Sequence, residues 1–339
     1  MIDCGSQCIL CDLPVRYDTY KGCSHGCKYC FVQRKTNISK IEEDASIASL
    51  KRFIMGGRTL KTKWCDWKIP LHIGGMSDPF QPCEKHYRAT YRALKILEES
   101  QYPFIVSTKG ALVADDEYLD ILSRCNCVVQ ISAVCSKYDR MEPGCPNFME
   151  RMKMAKKVAP KVKRLIIRVQ PYMHEVFDDV YNNIELYKDV GAYGFIVEGI
   201  KLSKKQKGFV RVGADWVYPY TLIKSDFIAL RERARKVGIH IYAGENRIRT
   251  LGDSLTCCGV DGLEGFTPSN YNIQRMIFGG LGEPTPGMKE KRTGDPIRVM
   301  DQTTIGGRRW TNMTYADAMK EWYIEHKKQM EEVFGVARK

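Results

Sequence analysis

The feature that most constrains this chain is an alternation. Short apolar runs at Val15–Lys21, Leu71–Gly75, Pro103–Ser107, Cys127–Ser132, Leu165–Gln170 and Gly194–Glu198 read as strands, with a later one at Ile239–Ala243. Longer stretches between them carry helical periodicity: 42–55, 84–100, 115–124, 146–159, 176–190 and 225–237. Strands apolar on both faces and separated by helices call for a parallel sheet, because parallel neighbours need a crossover that covers the sheet. The expected fold class is therefore α/β. Ligand sites in such folds gather at the C-terminal ends of the strands. Gly74, Gly75, Ser77, Asp78, Lys109, Ser132, Arg168 and Glu198 all fall at or near those ends. Arg168 stands inside an otherwise apolar strand and needs a partner. A bound carboxylate or phosphate would serve, and so would a buried glutamate.

Composition adds one outlier, 14 cysteines in 339 residues. The start, MIDCGSQC, lacks the basic flank and apolar stretch of a secretory signal, and 44% apolar residues suffice for a core without disulfide staples. These thiols are expected to be reduced, in a cytoplasmic protein, and to serve as metal ligands or catalytic groups. No run approaches the ~20 apolar residues of a membrane span, so no membrane partner is expected. Cys4, Cys8 and Cys11 are spaced C-x3-C-x2-C, and Cys23, Cys27 and Cys30 repeat that spacing. Three thiolates in so short a loop can converge on one metal centre. A [4Fe–4S] cluster takes four ligands, so three from protein leave one iron open to a small molecule. Structural zinc closes its shell with four, and a zinc knuckle with a distant fourth ligand is the alternative.

The second triplet lies in YKGCSHGCKYCF, directly after the first strand. This string resembles the radical S-adenosylmethionine (SAM) superfamily, and within it the branch of spore photoproduct lyase and DNA-repair-photolyase-like proteins. S-D-P-F-Q-P-x-E, Ser77 to Glu84, is similar to that branch's D-P-Y-Q-P-x-E, and Arg140–Gly144 is similar to its E-P segment. The plainer reading of Ser77 to Glu84 is a Pro-bracketed turn capping the next helix. The resemblance implies a partial (β/α)6 TIM-type barrel over 15–280. A cysteine-rich extension, 1–14, would precede it, and a loop and helical appendage, 281–339, would follow. It implies that Cys23, Cys27 and Cys30 hold a [4Fe–4S] cluster whose open iron is chelated by SAM. Gly74 and Gly75 would meet the SAM amino group through backbone, and Lys109 its carboxylate, though Lys109 also reads as a solvated loop lysine. Ser77, Asp78, Ser132 and Arg168 would be further cofactor contacts. Tyr29 would pack beside cluster and cofactor, with Tyr29, Lys109 and Glu198 as the catalytic candidates. A donor such as flavodoxin or ferredoxin would reduce the cluster, and SAM cleavage would give a 5′-deoxyadenosyl radical. One departure matters: Gly75 and Met76 stand where spore photoproduct lyase has its hydrogen-donor cysteine, so thymine-dimer reversal is not expected.

Lys and Arg number 53 against 40 Asp and Glu, a net charge of +13 that points weakly to an anionic partner. Arg151, Lys153, Lys156, Lys157, Lys161, Lys163 and Arg164 read as a solvated face at the foot of the barrel. Lys201, Lys204, Lys205, Lys207 and Arg211 follow a strand on the active-site side and suit a phosphate track. Arg308, Arg309 and Trp310 suit either phosphate and base contacts or a surface turn. The leading expectation is chemistry on a nucleic-acid base or nucleotide. The same chemistry on a peptide or small metabolite, and a non-catalytic metal-cluster nucleic-acid-binding protein, are the alternatives. Cys4, Cys8 and Cys11 suit a second iron–sulfur cluster or zinc, with Cys257 and Cys258 as candidates for a fourth ligand. Neither a P-loop nor a Rossmann glycine motif is present in context.

Overall fold

The computed structural model describes residues 2, 11–44, 46–59, 62, 68–212 and 215–268, and residues 324, 325, 327 and 328. Its elements run in order β1 (Tyr20–Lys21), β2 (Glu42–Glu43), α1 (Ile47–Ile54), β3 (Leu71–Ile73), α2 (Glu84–Tyr87), α3 (Ala89–Ser100), β4 (Phe104–Thr108), α4 (Asp116–Ser123), β5 (Cys127–Ser132), α5 (Phe148–Val158), β6 (Arg164–Tyr172), α6 (Phe177–Asp189), β7 (Gly194–Gly199), β8 (Val210–Val212), β9 (Asp215–Val217), α7 (Tyr220–Val237) and β10 (His240–Ala243). Six strands form one sheet in the order β10-β7-β6-β5-β4-β3, and every neighbouring pair is parallel. Each strand of the sheet thus lies beside the one before it, with a helical crossover joining each parallel pair. β4 and β5 are buried along their whole length, which is why both read as largely apolar runs.

The expected first strand divides in two. Residues 15–17 lie parallel along the edge of β3, with Tyr17 N donating to His72 O at 3.0 Å and His72 N to Val15 O at 2.8 Å. The chain then leaves the sheet, and β1 pairs antiparallel with β2. Glu42–Glu43 is therefore a strand, and the helix expected from residue 42 starts at Ile47, where Ser46 Oγ accepts from Ser49 N. The helix expected over 84–100 breaks at Arg88, a left-handed residue with φ 55°. Its cause is Glu84, fully buried, whose carboxylate turns back to accept from Thr90 N and Tyr91 N, both at 2.9 Å, and so caps α3.

Residues 256–261 cross the sheet face that carries Gln130 and Ile166. Cys258 O accepts from Gln130 Nε2 at 3.0 Å. Arg164 Nη1 donates to Gly259 O and Asp261 O at 2.9 and 2.8 Å. Gly259 has φ +73°, and a Cβ there would fall 2.4 Å from Ile166 Cδ1. Thr256 Oγ1 donates to Asp12 Oδ2 at 2.6 Å, joining this segment to the chain ahead of the first strand.

Among the described residues no helix is long and apolar enough to cross a membrane. Cys4, Cys8, Cys65, Arg308, Arg309 and Trp310 lie outside the described residues. So does the appendage expected over 281–339, apart from Ile324, Glu325, Lys327 and Lys328, which are helical. Cys125, Cys127 and Cys135 are buried among apolar side chains, as small apolar residues are. The basic face expected on α5 holds for Lys153, Lys156, Lys157, Lys161 and Lys163, which are exposed. Arg151 departs from it. That side chain is 1% exposed, because a buried carboxylate on the loop before α5 needs a cation.

Candidate active site at the cysteine loop

The loop bearing Cys23, Cys27 and Cys30 is held from three directions. Gly22 has φ +72°, and a Cβ there would meet Lys40 O at 2.3 Å, so only glycine admits the close return of the chain. Gln81, fully buried in the D-P-F-Q-P string, receives Ser24 N at 2.9 Å on Oε1 and donates through Nε2 to Gly22 O at 3.2 Å. His25 Nδ1 donates to Gly144 O at 2.9 Å, and its Nε2 faces Asp78 Oδ2 at 3.2 Å.

Asp78 is satisfied from inside the fold. Oδ1 accepts from Thr108 Oγ1 at 2.7 Å and Phe80 N at 2.9 Å, and Oδ2 accepts from Lys109 N at 2.6 Å. Burial alone would raise its pKa. The His25 charge and these donors outweigh burial and hold the carboxyl at about 2. Ser77 Oγ likewise donates inward, to Tyr20 O at 2.6 Å. The string that resembles a cofactor motif therefore also fastens the cysteine loop to the ends of β3 and β4. Gly74 has φ +87°, and a Cβ would lie 2.2 Å from Ser107 O, so the end of β3 is bare backbone by necessity. Gly75 follows, half-buried.

The second centre of the site is Glu142, 2% exposed. Tyr29 OH donates to its Oε1. Lys109 Nζ lies 3.9 Å from Oε1, and Arg151 Nη2 lies 2.5 Å from Oε2. Lys109 Nζ also stands 5.7 Å from the centre of the Tyr29 ring. The structure thus brings Tyr29 and Lys109 together, and Lys109 is a paired lysine, not a solvated one. Cys145, three residues on, places its Sγ 3.9 Å from that of Cys27. Its hydrogen bond, opposed by burial and aided by Lys109, brings the Cys27 thiol down to about 7. Burial and the Asp78 charge push Cys23 up to about 12. The sequence showed the E-P string but no role for Glu142 or Cys145, and it placed Arg151 on a solvated basic face. The contact with Cys145 spans 118 residues and leaves no local signal.

Arg168 finds its partners across the sheet. Nη1 donates to Ser107 Oγ at 2.8 Å and Gln130 Oε1 at 3.1 Å, and Nη2 donates to Gln170 Oε1. Gln170 Nε2 donates to Glu198 Oε2 at 2.7 Å, and Lys201 Nζ pairs with Glu198 Oε1 at 2.6 Å. His72 Nε2 lies 2.7 Å from Ser107 Oγ, whose single proton goes to Gln130 Oε1 at 2.8 Å, so the imidazole is the donor there. Burial, with Arg168 and Arg16 close by, lowers the His72 pKa to about 3. Arg168 and Glu198 are thus joined in one ladder through Gln170. Ser132 is buried at the end of β5, and its carbonyl accepts from Arg151 Nη1 at 2.8 Å.

All of the described cysteines are free thiols. Among the described residues no three His, Cys, Asp or Glu side chains converge on a common metal position. The donor chemistry of the loop nonetheless fits an iron–sulfur cluster. It offers three thiols and no carboxylate, and its one imidazole is committed to Gly144 and Asp78. Of the first triplet only Cys11 is described. It lies in electrostatic reach of Cys257, whose Sγ is 4.0 Å from that of Cys258, and burial with that neighbouring charge pushes Cys11 up to about 12.

No family model matches the sequence. Uncharacterized proteins of Mycobacterium tuberculosis and Mycobacterium bovis are 22% identical over 215 residues. The match covers 58% of this chain and 62% of theirs, so the chain spans less than two thirds of those relatives. Among solved structures, spore photoproduct lyase complexed with dinucleoside spore photoproduct superposes with a TM-score of 0.56 at 16% identity, covering 72% of this chain and 78% of that one. A doubly substituted variant of that lyase, with bound AdoMet and the same dinucleoside, gives 0.52 at 18% identity over the same shares. The described chain is thus a partial α/β barrel with a six-stranded parallel sheet, and its fold is that of spore photoproduct lyase, which bears out at the level of fold the likeness read from its sequence.

Proposed function

We propose that this chain is a radical SAM enzyme acting on a nucleic-acid base or nucleotide in a reducing cytoplasm. Cys23, Cys27 and Cys30 would hold a [4Fe–4S] cluster with its open iron facing SAM. The observation that carries the reading is the seat of the cysteine loop. It lies at the C-terminal ends of β3 and β4, clamped by Gln81 and His25, with Tyr29 and Lys109 gathered on Glu142. When bound, the cluster supplies one electron for cleavage of SAM to methionine and a 5′-deoxyadenosyl radical that takes hydrogen from substrate.

The chain's own part is placement. Gly74 and Gly75 offer backbone with no side chain of its own, suited to the SAM amino group. Lys109 and Arg168 are the cations available for its carboxylate, with Ser132 at the end of the intervening strand. Ser77 and Asp78 hold the strand end that presents these groups. Glu198, kept ionised by Lys201 against its burial, offers an acceptor for a ribose or base N–H or O–H. Gly75 and Met76 carry no thiol, so reversal of a thymine dimer is not part of the proposal. A low-potential carrier such as flavodoxin or ferredoxin would deliver the electron. The nucleic-acid reading rests on the +13 charge and on exposed Lys204, Lys205 and Lys207, with Lys205 Nζ 5.9 Å from the Trp216 ring.

Anaerobic reconstitution with iron and sulfide tests this. Under dithionite, 5′-deoxyadenosine is expected from SAM, and Cys23→Ala should abolish it. Oligonucleotides, nucleosides and peptides then compete as substrates. Iron loading with no SAM cleavage would return the chain to a binding module, and turnover of peptides alone would refute the nucleic-acid reading.

A further inference from the structure

A cavity of about 430 Å³ opens beside the cysteine loop, lined by Lys28, Lys137, Tyr138, Arg140, Met141, Met173 and Val176. All three of its charged residues are cations. Lys137 pairs with Asp179 at 2.7 Å. Lys28 and Arg140 are exposed, and among the described residues no carboxylate pairs with either. The remaining wall is two methionines, a valine and the Tyr138 ring, whose hydroxyl is already spent on Pro171 O at 2.7 Å.

The cavity shares a wall with the candidate site. Lys28 lies between Cys27 and Cys30, and its N–H donates to Met141 O at 2.9 Å. The Tyr138 ring sits 6.0 Å from that of Tyr29, edge-on. Next to Met141 stands Glu142, which gathers Tyr29 and Lys109. A group bound here would therefore lie beside the chemistry without occupying it. Unpaired cations over a soft apolar floor recognise one kind of ligand above others: an anionic ester whose charge meets Lys28 and Arg140 while its organic part lies on the methionines.

We propose that this cavity is a phosphate-ester subsite for the substrate strand, holding a phosphodiester that flanks the base undergoing reaction. The proposal rests on the nucleic-acid reading above and narrows it to a substrate gripped by its backbone. Arg140 offers the planar fork that fits two phosphate oxygens, and Lys28 a point charge on the cysteine-loop side. The half-buried thioethers of Met141 and Met173 accept the adjoining sugar or base without demanding a sequence.

The test is binding of fluorescein-labelled (dT)12 to the reconstituted full-length protein, followed by anisotropy over a salt series. A parallel arm uses labelled thymidine monophosphate, to separate a strand phosphate from a free nucleotide. Lys28→Glu with Arg140→Glu should weaken (dT)12 binding at least about tenfold. It should also flatten the salt slope by about 1.4, since each lost single-strand contact is worth about 0.7. Lys156→Glu with Lys157→Glu, exposed on α5, should leave both unchanged. The milder Lys28→Gln with Arg140→Gln, checked for iron content and melting temperature, guards against a folding defect. Equal affinity and slope in wild type and both cavity variants would overturn the proposal. So would loss of binding to an acidic ferredoxin with (dT)12 binding intact. A cavity-dependent (dT)12 affinity in a protein that never cleaves SAM would sustain the subsite and refute the radical reading.

Discussion

Glu142 is the residue on which the site turns. It is buried, it accepts from Tyr29 and it faces Arg151 and Lys109. Removing one member of a buried ion pair strands the other, at a cost of about 3–5 kcal/mol. Glu142→Gln is expected to destabilise by about 3 kcal/mol in urea titrations, because Arg151 at 1% exposure has no water to turn to. A loss below about 1 kcal/mol would mean that Asp139, 3.5 Å from Arg151, takes over. At Gly74 the backbone is the determinant. Gly74→Ala must fit a Cβ 2.2 Å from a carbonyl oxygen at positive φ, and should cost about 2 kcal/mol or more by the same measurement.

At the scale of elements, the parallel strands were legible because each is a short apolar run bounded by turn residues and separated from the next by a helical period. β5 was read at its observed bounds, and the others to within a few residues. What escaped were elements whose cause lies far along the chain. β2 is two glutamates, poor strand formers, held because Tyr20 and Lys21 pair with them and because Lys21 and Arg92 meet their charges. The break between α2 and α3 follows from Glu84 turning inward to Tyr20 and Tyr118, neither of them a local neighbour. Arg151 reads as one more cation in a basic run until the fold sets it against Glu142. The cysteine loop itself was legible from its spacing, but its clamp was not. Gln81→Ala would leave Ser24 N without its acceptor, costing about 1–3 kcal/mol. The signature is local: faster amide exchange at Ser24 with little change at β5. Equal exchange in mutant and wild type would refute the clamp.

Over the whole molecule, the ladder from His72 through Arg168 to Glu198 ties five strands of the sheet by side chains as well as backbone. Its neutral imidazole makes stability depend on pH. In the unfolded chain a histidine takes up a proton near 6.5; in the fold His72 does so only near 3. The unfolded state therefore binds more protons throughout that window. The contribution of His72 is complete above 6.5 and falls as acid is added, by about 2 kcal/mol at pH 5. Asp78, held at about 2, adds a further loss below pH 4. Urea midpoints should drop between pH 7 and 5, and His72→Gln should flatten that drop; an unchanged slope in the variant would place the titrating group elsewhere.

The bond from Thr256 to Asp12 joins residues 244 apart in sequence. On a ribosome adding about 5–20 residues per second, the two partners emerge about 12–50 s apart. The cysteine loop is complete early in that interval, while the segment that bonds to Asp12 does not yet exist. On the function proposed above, a nascent chain stalled before residue 256 would already present Cys23, Cys27 and Cys30 to iron–sulfur assembly proteins. The time taken to translate the middle of the chain would then be time open to cofactor installation before the Thr256–Asp12 bond can form.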